Sequence, residues 1–305
     1  MSGSRVDEAA SRVSIWKGKD VKVSPLSGGL TNENYLVEAG GERYVMRIPG
    51  RSTELLSIDR ANEVFNTKAA ASTGVGPQVI EHVPGLDVLV LEFIEGTTMS
   101  AGALQSKEMA ARMASSFRRL HASPRFLKDF NMFRLIETYL GIVDEHQVTI
   151  PYGYRDRLPV VAQIERAVTA GALPPVPCHN DLLCENFIDD GKALRIVDYE
   201  LSGNNDPCFD LGNTAQEAEL DQDLRAALCA AYFGREDTRQ VARMNLFALM
   251  SDVGWTLWGA IQAKISAVEF DFAGYYTGRW ERALEVLNSD RLSTWLEQAG
   301  RQESL

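Results

Sequence analysis

The sequence has no apolar run that approaches the roughly 20 residues needed to cross a bilayer. Its first residues, MSGSRVDEAASRVSIW, lack the apolar core of a secretory signal, and their acidic side chains fit a transit peptide poorly. We therefore expect a cytoplasmic protein with no membrane insertion.

Cysteine and basic residues are also scarce. Cys178, Cys184, Cys208 and Cys229 form no CxxC pair and no Cys/His metal spacing, so we expect reduced structural thiols. Lys and Arg total 31 against 42 Asp and Glu, which gives a net charge of −11. Because nucleic-acid binding needs a basic face, we expect no nucleic-acid partner.

The pattern of predicted secondary structure changes near residue 95. Before it, strand-like segments alternate with glycine-rich turns around one predicted helix at 57–73, and YLVEA-GG-ERYVMRI is typical of a hairpin. After it, helical spacing dominates, with predicted helices at 106–121, 131–147 and 157–170. The pattern predicts an α+β fold with a small antiparallel β-rich lobe (1–95), a larger mostly helical lobe (96–305) and a cleft between them.

The segment CHNDLLCENFIDDGKALRIVDYE, residues 178–200, carries the clearest chemistry. Asn186 follows Asp181 by five residues, and Asp198 follows Asp181 by seventeen, after the apolar strand LRIV. Phosphoryl transfer needs one carboxylate to orient the attacking hydroxyl, and a second carboxylate with an amide oxygen to hold Mg²⁺. We therefore predict ATP-dependent phosphorylation of a hydroxyl, with Asp181 as catalytic base and Asn186 and Asp198 as metal ligands. The alternative is a polar loop of capping residues.

Groups for the nucleotide are predicted in the β-rich lobe. Glycines in the turn SGGLTNEN allow the backbone to approach phosphate. The candidates in this turn are Gly28, Gly29, Thr31 and Asn32. Arg47 on the strand YVMRI is predicted to bind the α- and β-phosphates, with Glu63 on the next helix holding it in place. The alternatives are an ordinary turn and a surface ion pair.

Two further segments carry weaker signals. The strand LVLEFIEG has the position of a hinge between lobes, where backbone groups from Glu92 to Ile94 are predicted to contact adenine, although an ordinary core strand would look the same. In NNDPCFDLGN, we expect Asp210 to cap the following helix or to brace the catalytic loop.

Aromatic residues are concentrated near the C-terminal end. Trp255, Trp258 and Gln262 share one helical face, and Phe272 and Tyr275 follow. Aromatic walls with a nearby acidic group bind quaternary ammonium ions. The alternative is a stripe of core residues.

Taken together, these motifs resemble the choline/ethanolamine kinases, within the aminoglycoside-phosphotransferase group of the protein-kinase-like fold. The resemblance covers roughly residues 20–290 and rests on LSGGLTNENYLV, YVMRIPG, CHNDLLCEN, IVDYELSGNNDPCFDLGN and WTLWGAIQAKISAVEFDFAGYYTGRW. It implies ATP and Mg²⁺ as cofactors and phosphorylation of choline to phosphocholine. The last segment separates choline kinases from antibiotic kinases.

The resemblance also implies roles for individual residues. It supports the roles given above to Asp181, Asn186, Asp198, Arg47 and the glycine-rich turn. It assigns the acceptor pocket to Glu217, Trp255, Trp258, Phe272 and Tyr275, with Glu217 as the acidic group near the ammonium. The chain departs from the family at Leu183, where a glutamine usually contacts the ATP side.

Other functions remain open at this level. Ethanolamine is a close alternative acceptor, an aminoglycoside phosphotransferase acting on a polycationic antibiotic is a second, and an inactive kinase-like binding protein is a third. The sequence does not determine the oligomeric state, and a homodimer is one alternative.

Overall fold

The N-terminal lobe is built on one five-stranded antiparallel sheet with strand order β1-β2-β3-β5-β4. The computed structural model describes residues 2–26, 29–50, 56 and 58–301. The strands are β1 (Val21–Pro25), β2 (Asn32–Ala39), β3 (Glu42–Pro49), β4 (Val79–Val83) and β5 (Val88–Glu92). Helix α2 (Arg60–Ser72) connects β3 to β4 and is capped by Asp59, which accepts from the Asn62 N–H.

The predicted hairpin is present as β2 and β3. Gly40 and Gly41 have φ of +62° and +86°, as the favoured two-residue turn requires, and Ala39 pairs with Glu42 across it. Local turn chemistry therefore fixes the register of the strand that carries Arg47.

Helix α1 (Ser2–Arg12) was not predicted from the sequence. Ala9, Val13 and Trp16 are buried in one cluster with Val37 and Met46 of the sheet. This packing covers a face of the N-terminal sheet.

The C-terminal lobe is mostly helical, as predicted. Its helices are α3 (Ala101–Leu104), α4 (Lys107–His121), α5 (Met132–Glu145), α6 (Leu158–Ala170), α7 (Pro207–Glu217), α8 (Gln222–Phe233), α9 (Thr238–Ile265), α10 (Phe272–Leu287) and α11 (Asp290–Gly300). Its short strands are β6 (Thr97–Thr98), β7 (Val176–Cys178), β8 (Phe187–Asp189), β9 (Leu194–Ile196) and β10 (Gly203–Asn205). Ser106 caps α4 by accepting from the Met109 N–H, at the start expected from the sequence.

Helix α9 is the central element of this lobe. It is 28 residues long and packs against α5, α7, α10 and α11. A β-carbon at Gly212 would lie 2.4 Å from the carbonyl oxygen of Met244, so glycine is needed for α7 to approach α9 this closely. The close approach fixes the position of α7, which carries Asp210 and Glu217. Within the described residues, no helix combines the length and apolar character required to cross a membrane.

Candidate active site

Two loops between short antiparallel strands bring the motif residues together. β7 pairs with β10 and β8 pairs with β9, and the Val197 N–H donates to the Asn186 carbonyl at 3.0 Å. This bond joins the loop that contains Asp181 to the one that contains Asp198. Asn180 and Asp198 have φ of +69° and +74°, a region that non-glycine residues seldom adopt and that often occurs at functional sites.

Asp210 braces the loop that contains Asp181 through its backbone. Its carboxylate accepts from the backbone N–H groups of His179 and Asn180, both at 2.8 Å, and lies 3.1 Å from His121 Nε2. Asp206, not Asp210, caps α7 through the Cys208 N–H. Of the two expectations for Asp210, bracing of the loop is therefore confirmed and helix capping is wrong.

The Asp181 side chain is a candidate proton acceptor. Burial is the main cause that raises the pKa of Asp181 to about 7, with smaller contributions from the negative charges of Asp198 and Glu217 and an opposing one from Arg279. Among the described residues, no hydrogen bond reaches its carboxylate oxygens. A carboxylate with a pKa near neutrality is suited to general base catalysis.

The residues beside Asp181 fit a magnesium ion. Asp198 Oδ1 is buried and has no hydrogen-bond partner among the described residues. Asn186 donates through Nδ2 to the Asp181 carbonyl at 2.9 Å, which leaves its amide oxygen available. A carboxylate oxygen and an amide oxygen are hard ligands of the kind that Mg²⁺ binds.

Arg47 joins this group from the N-terminal lobe. Its guanidinium donates to Glu63 at 2.9 Å and forms an ion pair with Asp198. Burial disfavours the charged form, but the carboxylates of Asp198 and Glu63 outweigh it and raise the pKa of Arg47. Because Arg47 is 5% and Glu63 2% exposed, the alternative of a surface ion pair is wrong.

The sequence analysis missed Arg60 and Glu200. Arg60 donates to Glu63 at 2.7 Å and lies 3.4 Å from Glu200, which also accepts from Asn32 at 2.7 Å. Burial and, next, the charge of Asp198 raise the pKa of Glu200 to about 8 against the opposing charges of Arg47 and Arg60. The signal in the sequence was the position of Glu200, two residues after Asp198.

The glycine-rich turn approaches the same group. Ser27 and Gly28 lie outside the described residues. Gly29 has φ of +95°, and a β-carbon there would lie 2.9 Å from the Asn32 carbonyl oxygen, so a side chain would be strained. Thr31 directly precedes β2, and Asn32 begins it and is buried. The turn therefore ends beside Glu200, close to Asp198.

Glu92 joins the two lobes through its side chain. Its carboxylate accepts from the Gln78 N–H at 3.0 Å and from Arg195 at 3.1 Å, and its own N–H donates to the Gln78 carbonyl. The Glu92 amide is therefore already engaged in protein contacts. Ile94 lies just beyond the end of β5 and is buried.

Aromatic rings from α9 and α10 form a compact cluster. The Trp258 ring lies 5.9 Å from Phe272 and 5.6 Å from Tyr275 between centroids, with edge-on geometry. Phe270, which the sequence analysis did not single out, contacts both of these rings. Trp255, Trp258 and Phe272 also belong to the large core of the lobe, and Tyr275 packs against it, so these residues contribute to the core as the alternative expects.

Glu217, at the end of α7, lies beside this aromatic cluster. Arg279 of α10 contacts its Oε1 at 2.7 Å and lies over the Tyr275 ring, 4.5 Å from the centroid. Burial raises the pKa of Tyr275, and the charges of Glu217 and Asp181 add to the effect, while Arg279 opposes it. The aromatic cluster and the candidate base therefore share one electrostatic environment.

Comparison with known proteins identifies the family of the chain. The model of the phosphotransferase enzyme family matches residues 22–244. Ethanolamine kinase 1 of Mus musculus is 28% identical over 317 residues, covering 89% of this chain and 85% of that protein. Protein LicA of Haemophilus influenzae is 27% identical, covering 85% of this chain and 78% of that protein.

Solved structures of choline/ethanolamine kinases and aminoglycoside phosphotransferases are similar to this chain in fold. A choline/ethanolamine kinase family protein from Mesorhizobium loti superimposes with a TM-score of 0.83 at 33% identity, over 97% of this chain and 99% of that one. An aminoglycoside 2'-phosphotransferase superimposes at 0.64 with 15% identity, over 95% of this chain and 98% of that one, and shares the fold. The protein-kinase-like fold is therefore confirmed. The chain belongs to the phosphotransferase enzyme family, in its choline/ethanolamine kinase group, and is a small-molecule kinase.

Proposed function

We propose that this kinase transfers the γ-phosphoryl group of ATP to the hydroxyl of choline, giving phosphocholine. The observation that carries the proposal is the aromatic cluster of Trp258, Phe272 and Tyr275, with the Arg279–Glu217 ion pair beside Tyr275. A trimethylammonium group cannot donate hydrogen bonds and is bound best by aromatic faces.

Asp181 is the base in this proposal. It accepts a hydrogen bond from the choline hydroxyl, orients that oxygen for in-line attack and takes its proton as the new bond to phosphorus forms. Asp210 keeps the loop in place through the backbone of His179 and Asn180. Positioning and electrostatics supply most of the rate acceleration.

Asn186 and Asp198 would hold Mg²⁺, which when bound neutralises phosphate charge. Arg47, fixed by Glu63, would bind the phosphates of ATP directly. A guanidinium suits this role because it remains charged and offers several donors in one plane. The buried position of Arg47, opposite Asp198, supports the assignment.

The remainder of the ATP site would lie between the lobes. The turn around Gly28, Gly29 and Thr31 would cover the phosphates, and Asn32 would fix the turn through Glu200. Because the Glu92 amide is already engaged, the adenine contact would come from backbone at Ile94. The Glu92 side chain would instead connect the two lobes at this site through its ion pair with Arg195.

Ethanolamine is the second candidate acceptor. Glu217 supports it, because a carboxylate suits a primary ammonium that donates hydrogen bonds, and several similar proteins are named ethanolamine kinases. The pairing of Glu217 with Arg279 and the aromatic cluster favour choline.

The test is ATP turnover by the purified chain with Mg²⁺ against choline, ethanolamine, other amino-alcohols and aminoglycosides. We expect the highest kcat/KM for choline. Choline turnover at the level of the acceptor-free background would contradict the proposal, and a preference for ethanolamine would replace it with the second candidate.

A further inference from the structure

Arg279 is a buried cation on the wall of the proposed acceptor site. It is 3% exposed, and its guanidinium contacts Glu217 at 2.7 Å and Asp252 at 3.2 Å. It also lies over the Tyr275 ring, 4.5 Å from the centroid. One arginine thus contacts both kinds of group, acidic and aromatic, that can recognise an ammonium ion.

The two carboxylates around Arg279 depend on it to different degrees. Asp252 also accepts from Arg282 at 2.6 Å and from Gln216 at 2.7 Å. Among the described residues, Arg279 is the one cation in ion-pair contact with Glu217. Removing the guanidinium would therefore leave Asp252 paired and Glu217 free.

We infer that Arg279 is a specificity-determining residue, which withholds the Glu217 carboxylate from the acceptor and so favours a quaternary over a primary ammonium. The inference rests on the proposed function, since it concerns the choice between the two candidate acceptors. With Glu217 paired, the aromatic faces dominate recognition, and these suit a methylated cation that donates no hydrogen bond.

Loss of Arg279 would have two competing effects on the choice of acceptor, and their relative sizes predict which acceptor gains. A hydrogen bond from an ammonium to a free carboxylate strengthens binding by about tenfold or more. The face of Tyr275 that Arg279 covers would add a cation–π contact of about two- to fivefold. Because the first effect is larger and is open only to the primary ammonium, loss of Arg279 favours ethanolamine.

The experiment compares kcat/KM for choline and ethanolamine in the wild-type chain and in Arg279→Gln. We expect the choline-to-ethanolamine ratio to fall by about fivefold or more, with KM for ATP unchanged. Arg282→Gln is the matched control, because Arg282 pairs with Asp252 and makes no ion-pair contact with Glu217, and its ratio should stay close to that of wild type. Arg279→Lys keeps the charge and should retain most of the preference.

An unchanged ratio in a folded Arg279→Gln protein, or an equal change in Arg282→Gln, would overturn the inference. If Arg279→Gln does not fold, Glu217→Gln decides the question. We expect it to leave the choline-to-ethanolamine ratio unchanged, since the carboxylate is already paired with Arg279, whereas a loss confined to ethanolamine would overturn the inference. A wild-type chain that phosphorylates neither acceptor overturns the proposed function, and this inference with it.

Discussion

Gly259 of α9 lies against the ring of Tyr275, so that a β-carbon at Gly259 would come within 2.7 Å of Tyr275 Cδ1. Gly259 directly follows Trp258 in the chain. The absence of a side chain therefore determines how closely two walls of the proposed acceptor site approach each other.

Gly259→Ala should displace Tyr275 and weaken acceptor binding, although alanine is the better helix former. We expect KM for choline to rise at least threefold, on the order of one lost cation–π contact, while KM for ATP stays unchanged. Gly141→Ala in α5, where nothing lies within 4 Å, is the control. It should stabilise the fold by about 0.5–1 kcal/mol without changing kinetics. Equal KM values for choline in both variants would contradict this interpretation.

Asp181→Asn should remove turnover and leave the fold intact. We expect kcat to fall by about 10²–10⁴-fold, because the amide cannot accept the proton. The substitution also removes the repulsion from Asp198 and Glu217 that helps raise the pKa of Asp181, so the melting temperature should not fall. Steady-state kinetics and thermal unfolding test the two parts, and near-wild-type turnover would show that the base lies elsewhere.

Trp258→Ala should weaken choline more than ethanolamine, because the lost aromatic face favours the methylated cation. We expect the choline-to-ethanolamine ratio of kcat/KM to fall severalfold, on the scale of one cation–π contact. Trp295→Ala in α11 removes another buried tryptophan. It should destabilise the fold by about 3–5 kcal/mol while leaving the ratio unchanged. Equal losses for both acceptors in Trp258→Ala would count against an aromatic site.

The ion pair between Arg112 and Asp189 should make the free energy of unfolding depend on pH in the acidic range. The Arg112 guanidinium donates two hydrogen bonds of 2.6 Å to Asp189, and these, with the Gly191 N–H, lower the pKa of Asp189 to about 2. Since the folded pKa lies below the unfolded value, the stabilisation is present above about pH 4 and is lost as pH falls towards 2.

Arg112→Gln should therefore cost about 1 kcal/mol at pH 7, since both side chains are partly exposed. The difference from wild type in free energy of unfolding should shrink between pH 5 and pH 2. Urea unfolding across this range measures it. A difference that stayed constant with pH would show that the ion pair does not depress the Asp189 pKa.

Predictions from the sequence succeeded where the determinants are close along the chain. The hairpin follows from Gly40 and Gly41, and the start of α4 follows from Ser106. The spacing of Asp181 and Asn186 reflects one short loop. Each depends on backbone conformation or capping within a few residues, which the sequence encodes directly.

The missed features join residues that are distant along the chain. Asn32 and Glu200 are 168 positions apart, and their contact exists only once the two lobes pack together. The partnership of Arg279 with Glu217 likewise needs α10 and α7 to meet across α9. The hydrogen bond that engages the Glu92 amide likewise depends on the position of Gln78 beside β5.

The proposed transfer residues and the aromatic cluster lie on different elements of the C-terminal lobe. The loops after β7 and β9 carry Asp181, Asn186 and Asp198, whereas the aromatic cluster lies at the C-terminal end of α9 and on α10. Substitutions on α10 can therefore reshape the proposed acceptor pocket while the loops that carry the transfer residues keep their backbone contacts, although a change at Arg279 would also alter the charge around Asp181. In evolutionary terms, this division would allow one phosphorylating framework to be adapted to a succession of alcohols.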